Sequence, residues 1–527
     1  MIKAQNIVGC KHISLSGERF KAVDPSTGQH LEGDFEVADE QLVEQAMQAA
    51  QQAYSSYKNI SNTKKATFLR TIAEEINALG EILINRASAE SGLPIARLTG
   101  EMGRTTGQLR MFADLVEEGS WVEAVIDTAL PERAPLPKPD LRRMYKAIGP
   151  VVVFGASNFP LAFSVAGGDT ASALASGCPV VVKAHPAHPG TSALVGEAIS
   201  KAAVKAGMPE GVFSLLHDSG YAVGTALLKH PLTKAVAFTG SYKGGMALVD
   251  MARDRKEPIP VFAEMGSINP VILLPETLNK QPETLASKYA ASITLGAGQF
   301  CTNPGLILAV KSDALNVFID NLKKAIEVVP SATMLTPGIW QNYQNLSQGV
   351  VGEAGIEVIA RSGNINKELS NQSVATVASV KASDFISNHK LKEEIFGPWS
   401  LLVVADDVQE LEAVVNTLDG QLTTTVMAER EELAAYATLL DKLADISGRV
   451  ILNGVPTGVE VCAAMQHGGP FPAASDSRFT SVGTGAIYRF VRPIAWQDWE
   501  DSLLPDELQS SNPLGIWRQV NNEWTKQ

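Results

Sequence analysis

The sequence predicts an α/β protein built from two doubly wound domains, and three observations carry that prediction. Short β-branched or aromatic runs alternate with helical segments from residue 149 onward. The alternation occurs twice, on either side of the glycine-rich stretch Gly296-Ala297-Gly298-Gln299-Phe300-Cys301-Thr302-Asn303-Pro304-Gly305. A chain of 527 residues also exceeds what one hydrophobic core usually serves.

Residues 39–129 read as helical. Leu42, Val43, Ala46, Ala50 and Ala53 repeat on one face, as do Phe68, Leu69, Ile72, Ile76 and Leu79, with Lys64, Lys65 and Arg70 expected at the surface. Prolines 131, 135, 137 and 139 forbid a helix and predict an extended connector, followed by an edge strand or arm at 142–147. The runs Pro150-Val151-Val152-Val153-Phe154, Pro179-Val180-Val181-Val182, Gly211-Val212-Phe213-Ser214-Leu215-Leu216 and Ala235-Val236-Ala237-Phe238 predict buried parallel strands, with crossover helices at 191–206 and 220–229. A second set follows the cysteine: strands at Leu306-Ile307-Leu308-Ala309-Val310, Leu401-Leu402-Val403-Val404 and Val450-Ile451-Leu452-Asn453, and helices at 406–418 and 431–444. Beyond residue 485 the chain is aromatic and proline-punctuated, a texture suited to packing on a partner or back on the core.

A net charge of −13 argues against nucleic acid and anionic membranes as partners. Four scattered cysteines, Cys10, Cys178, Cys301 and Cys462, suit neither a disulfide framework nor a metal motif, which points to a reducing, cytoplasmic setting. The first residues lack the apolar core of a signal peptide, and no stretch approaches the roughly 20 apolar residues of a membrane span.

Doubly wound sheets bind ligands at the carboxyl ends of their strands, so the residues after each run are the ones to inspect. Asn158 offers an amide to a developing oxyanion or, alternatively, a helix cap. Lys183 ends a strand where it can reach a ribose or phosphate, or simply be solvated. Gly240 and Ser241 open a helix after a strand, a place that favours a phosphate. Glu264 follows an apolar run, where burial raises a carboxyl pKa toward that of a general base; a structural glutamate is the other reading. Cys301 lies among glycines that open its sulfur to a ligand, although most lone thiols are inert. Glu394 and Phe396 bring a carboxylate and a ring to a Gly-Pro turn.

Taken in order, Ser157-Asn158-Phe159-Pro160, Val182-Lys183, Phe238-Thr239-Gly240-Ser241, Glu264-Met265-Gly266, Gly298-Gln299-Phe300-Cys301 and Glu394-Ile395-Phe396-Gly397-Pro398 resemble the motifs of the NAD(P)-dependent aldehyde dehydrogenase superfamily across nearly the whole chain. The resemblance implies Cys301 as nucleophile, Glu264 as general base and Asn158 as oxyanion donor. It implies that Lys183, Gly240, Ser241, Glu394 and Phe396 hold the cofactor. The implied organisation is a cofactor-binding domain of residues 1–130 and 150–264, a catalytic domain of 265–485, and bridging or oligomerisation segments at 131–149 and 486–527, in a homodimer or homotetramer.

The stretches Lys183-Ala184-His185-Pro186-Ala187-His188 and Gln466-His467-Gly468-Gly469-Pro470 are similar to an NADP-preferring branch. That branch contains α-ketoglutaric semialdehyde (2,5-dioxopentanoate) dehydrogenases and a bacterial fatty-aldehyde dehydrogenase. The absence of a carboxylate after Lys183 favours NADP, with NAD possible. Pro186 and Tyr221 stand where the fatty-aldehyde relative uses a hydroxyl and an arginine on the 2′-phosphate. Arg478 is the candidate cation for a dioxo acid's carboxylate. The alternatives are a fatty or broad-range aldehyde substrate, a CoA-acylating member and a non-catalytic homologue. No resident metal is expected.

Overall fold

The computed structural model describes residues 2–363 and 365–527. Its first seven-stranded sheet has the order Val261–Glu264, Ala235–Thr239, Val151–Phe154, Val180–Lys183, Phe213–Leu216, Asn6–Val8, Lys11–Ile13. The five strands after residue 150 are mutually parallel, and the N-terminal hairpin adds antiparallel at the edge. Strand order reverses direction between Val151–Phe154 and Ala235–Thr239, which makes a topological switch point there.

Alternation along the strands explains their double burial. Val151, Val153, Val180 and Val182 face a core shared with the helices Asn62–Ser91 and Ile95–Glu118, while Val152, Val181 and Val236 face Leu42, Val43 and Ala46 of Glu40–Tyr57. Each fully buried valine contributes roughly 1.5–3 kcal/mol of apolar transfer. The N-terminal helical layer is three helices, capped by Asp39 and Ser61 at their starts and by left-handed Gly92 and Gly119 at their ends. Lys65, expected at the surface, is buried.

The second seven-stranded sheet has the order Glu357–Arg361, Thr376–Lys381, Trp399–Ala405, Leu306–Val310, Val271–Leu273, Gln421–Met427, Ser447–Leu452. All neighbours are parallel except the first pair. Gln421–Met427, a fully buried central strand, was hidden in the sequence because three consecutive threonines blur its apolar signal.

A five-stranded sheet joins Val491–Gln497, Leu141–Ala147, Val125–Asp127, Arg518–Val520 and Glu523–Thr525. Two expectations change here. Leu141–Ala147 is flanked on both sides by strands of its own chain, so it is interior and not an edge. The proline segment is a closed loop, not an extended connector: Leu130 and Lys138 exchange backbone hydrogen bonds at 2.9 and 3.0 Å. Among the described residues, no helix is long and apolar enough to cross a membrane.

Candidate active site

The carboxyl ends of the first sheet hold five of the singled-out positions, Asn158, Lys183, Gly240, Ser241 and Glu264. Phe154 pairs in register with Lys183 and with Phe238, and Thr239 pairs with Glu264. Asn158 therefore follows one strand of the switch point and Gly240 the other, with Glu264 on the next strand; Gly240 N donates to Glu264 O at 3.0 Å. Ser241 caps the helix Tyr242–Arg253 by accepting from Gly244 N at 3.2 Å. Lys183 is 9 % exposed, with no ion pair among the described residues, and burial lowers its pKa.

Cys301 enters from the second sheet, on the loop before Leu306–Val310. The loop turns through three successive positive φ angles, 55° at Gly296, 58° at Ala297 and 64° at Gly298. A side chain at Gly298 would lie 2.2 Å from Gly397 O, so only glycine lets the two loops meet. Asn269 Nδ2 donates to Cys301 O and to Asn303 O, both at 2.9 Å, which fixes the backbone beside the sulfur. Asn158, 8 % exposed, donates from Nδ2 to Gln299 O at 3.2 Å, and its own carbonyl accepts from Arg97 Nη2 at 2.8 Å. The amide thus sits beside the cysteine loop and does not cap a helix.

Glu264 is buried beside the thiol. One carboxylate oxygen accepts from Ser481 Oγ, and the other lies 3.0 Å from His467 Nε2, at ion-pair distance without hydrogen-bond alignment. His467 Nε2 is also 3.5 Å from Cys301 Sγ. Sulfur, carboxylate and imidazole ligand atoms all lie within 4.8 Å of one another, a geometry that a soft cation could also occupy. Backbone contacts between the first sheet and the segment after the second explain the meeting: Met265 N donates to Ala473 O at 2.8 Å and Ser475 N to Ala263 O at 2.9 Å, drawing the segment with His467 and Ser481 against Glu264.

The electrostatics differ from the sequence expectation. Burial does push the Glu264 carboxyl up, but His467 and the Ser481 hydroxyl outweigh it and hold the group below the usual carboxylate range. Burial, followed by the Glu264 charge, raises the Cys301 thiol well above its ordinary value, and the Arg104 cation opposes this. The cluster therefore rests as a protonated thiol against a carboxylate.

Glu394 and Phe396 line a cavity with Gly298, Phe300 and Asn303, on the side of Cys301 toward the second sheet. A Cβ at Gly266 would lie 2.3 Å from Glu394 Oε2, which explains the glycine after Glu264-Met265. Burial pushes the Glu394 carboxyl up to about 7. Arg478 is placed differently: its side chain is 79 % exposed and paired to Asp476 at 2.5 Å. His467 was within a quoted motif, yet nothing in its local sequence marked it as the neighbour of Glu264.

The family model described as "Aldehyde dehydrogenase family" matches residues 12–470. The chain belongs to the aldehyde dehydrogenase family. Within that family it is 49 % identical over 519 residues to "Alpha-ketoglutaric semialdehyde dehydrogenase 2" of Azospirillum brasilense, covering 98 % of both chains. It is also 49 % identical over 485 residues to "Alpha-ketoglutaric semialdehyde dehydrogenase" of Acinetobacter baylyi, covering 92 % of this chain and 91 % of that one. Among solved family structures, betaine aldehyde dehydrogenase of Staphylococcus aureus in complex with NAD+ superposes with a TM-score of 0.79 at 19 % identity, over 94 % of this chain and 95 % of that one, a likeness of fold.

Proposed function

We propose that this aldehyde dehydrogenase oxidises 2,5-dioxopentanoate to 2-oxoglutarate with a nicotinamide dinucleotide. The observation that carries the substrate is the 49 % identity over 98 % of the chain to an α-ketoglutaric semialdehyde dehydrogenase. The Cys301, Glu264 and Asn158 cluster supports the chemistry.

Cys301 loses its proton to water and its sulfur attacks the aldehyde carbon, giving a thiohemiacetal. The free N–H of the Asn158 amide meets the oxyanion; one such donor is typically worth ~3 kcal/mol. The dinucleotide, when bound, supplies the hydride acceptor that turns the thiohemiacetal into a thioester. Glu264 then takes a proton from water, which attacks the thioester and releases the acid. His467 and Ser481 keep that carboxylate ionised inside a buried site.

The cofactor-binding domain, in this reading, comprises residues 1–130 and 150–264, and the catalytic domain 265–485. The buried, unpaired Lys183 and the helix start at Gly240 and Ser241 fit an anionic dinucleotide, with Glu394 and Phe396 holding its nicotinamide half. NADP is the preferred form and NAD the second. Two features bear on this: the carboxylate whose charge acts on Lys183, Asp218, has one oxygen accepting from Gly220 N and the other from Val223 N, and Tyr221 is 90 % exposed. Of the arm segments, 131–149 and 486–527, the second presents exposed Trp499, Leu503, Trp517 and Trp524, which support a homodimer or homotetramer.

The test is the specificity constant for 2,5-dioxopentanoate against a long-chain aldehyde, each with NADP and with NAD. A higher value for the long-chain aldehyde overturns the substrate reading and favours the fatty-aldehyde one. Light scattering in solution tests the assembly, and a monomer overturns it.

A further inference from the structure

The helix Ile95–Glu118 lays Arg97, Glu101 and Arg104 along one face, at spacings of four and three, toward the aromatic wall beside Cys301. Two of the three have hydrogen-bond partners, although Arg97 Nη1 and Glu101 Oε2 are left without one. Arg97 donates to Asn158 O, with its guanidinium 4.6 Å from the Phe300 ring centroid. Glu101 Oε1 accepts from the backbone N–H groups of Leu161 and Ala162, at 2.8 and 3.0 Å. Arg104 has no such occupation. Its Nε and Nη2 are shielded from water and meet no acceptor, and it forms no ion pair among the described residues.

The guanidinium carbon of Arg104 lies 5.2 Å from the Phe163 centroid and 5.9 Å from that of Phe159. Phe163 is 6.2 Å from the His467 ring, whose Nε2 is 3.5 Å from Cys301 Sγ, and Phe159 is 5.4 Å from Phe300, the chain neighbour of the thiol. Two rings in succession, Phe163 and His467 on one path and Phe159 and Phe300 on the other, therefore lead from this cation to the reacting sulfur. A buried guanidinium with idle donors is costly unless an anion completes it. Among the charges that act on the thiol, the Glu264 carboxylate acts most strongly and would repel an acidic substrate, and the Arg104 cation opposes it.

We propose that Arg104 is the specificity-determining residue that receives the carboxylate of an ω-oxo acid, holding its far end while the aldehyde carbon meets Cys301. The proposal rests on the substrate reading above and assigns the anchor to Arg104 in place of Arg478. Arg478 faces solvent, and Asp476 already pairs with its guanidinium. The Phe159, Phe163 and Phe300 rings exclude water around the pair, where a forked Arg–carboxylate contact is strongest.

The experiment compares kcat/KM for 2,5-dioxopentanoate, 5-oxopentanoate and pentanal in the wild type and in Arg104→Met, Arg104→Lys and Arg478→Ala, with competitive inhibition by 2-oxoglutarate as a binding readout. Arg104→Met should lower the acid-to-pentanal ratio ~10- to 100-fold, mainly through KM, and weaken 2-oxoglutarate by a similar factor. Arg104→Lys should recover part of both, and it decides the matter should the Met variant fold poorly. A ratio that survives in both Arg104 variants, a parallel loss for acids and pentanal, or a ratio lost in Arg478→Ala overturns the assignment. A wild type that prefers 5-oxopentanoate to the dioxo acid overturns the substrate reading but leaves Arg104 standing on the 5-oxopentanoate ratio. One that prefers pentanal to both acids overturns both.

Discussion

The two seven-stranded sheets share a design but meet the site with opposite edges. The first presents the carboxyl ends of its strands: Asn158, Lys183, Gly240 and Glu264 all follow or end a strand. The second presents amino ends: Asn269 precedes Val271–Leu273, Cys301 precedes Leu306–Val310, Glu394 precedes Trp399–Ala405, and Gln421 begins its own strand. Their tasks differ accordingly. Residues at the first edge follow strand ends around the switch point, whereas much of the second edge holds a loop in shape. Gln421 Oε1 accepts from Ser267 Oγ and from the backbone of Ile268 and Asn269, and Asn269 in turn carries Cys301. The rule that ligands gather at carboxyl ends describes one half of this site and misses the other.

The largest effect that would sharpen this contrast belongs to the first edge. Glu264→Gln should lower steady-state turnover about 100- to 10,000-fold while preserving a burst of reduced dinucleotide, because hydrolysis of the thioester fails after the hydride has left. Rapid-mixing absorbance checks this, and loss of the burst together with turnover would break the division of labour. Next comes the second edge. Asn269→Ala removes two hydrogen bonds to the cysteine loop, so turnover should fall by ~10- to 100-fold, with about 1–3 kcal/mol lost in a denaturant titration. Unchanged stability would show that the loop holds its own shape.

A smaller change should follow Glu394→Gln. With its pKa raised to about 7, wild-type Glu394 should bind dinucleotide less well as pH falls through 7 and the carboxylate is lost, and the variant should show a flat profile by fluorescence titration. The linked stability has the opposite sign. The folded state holds the Glu394 proton above the ordinary carboxyl value of 4.5, so its contribution is fully present below about 4.5 and is lost as pH rises through about 7. Denaturation midpoints of wild type should therefore drop relative to the Gln variant across that window. The smallest effect at neutral pH is expected for His467→Gln. Without the imidazole, burial dominates at Glu264, so the acid limb of the turnover profile should move to higher pH. A limb that stays in place would mean Ser481 alone keeps the carboxylate ionised.

Much of the fold was legible because its signals are local. The β-branched runs at 151–154, 180–183 and 306–310 are strands within a residue or two, since buried parallel strands need such side chains on both faces. The threonine-rich strand at 421–427 and the thin strand at 125–127 left no comparable trace. Leu141–Ala147 was placed at an edge because one partner, Val491–Gln497, lies far away in sequence and the other, Val125–Asp127, is the thin strand that left no trace.

The sequence by itself determined most of the secondary elements and the doubly wound character of both sheets, because period and turn residues act over a few residues. Only the tertiary structure decided that Glu264 meets Ser481, 217 residues on, and that His467 stands against Cys301, 166 residues on. It also decided which arginine is idle inside and which is paired outside. Burial and charge are properties of the assembled neighbourhood: the same glutamate that an apolar run would push up in pKa is held down once an imidazole folds against it.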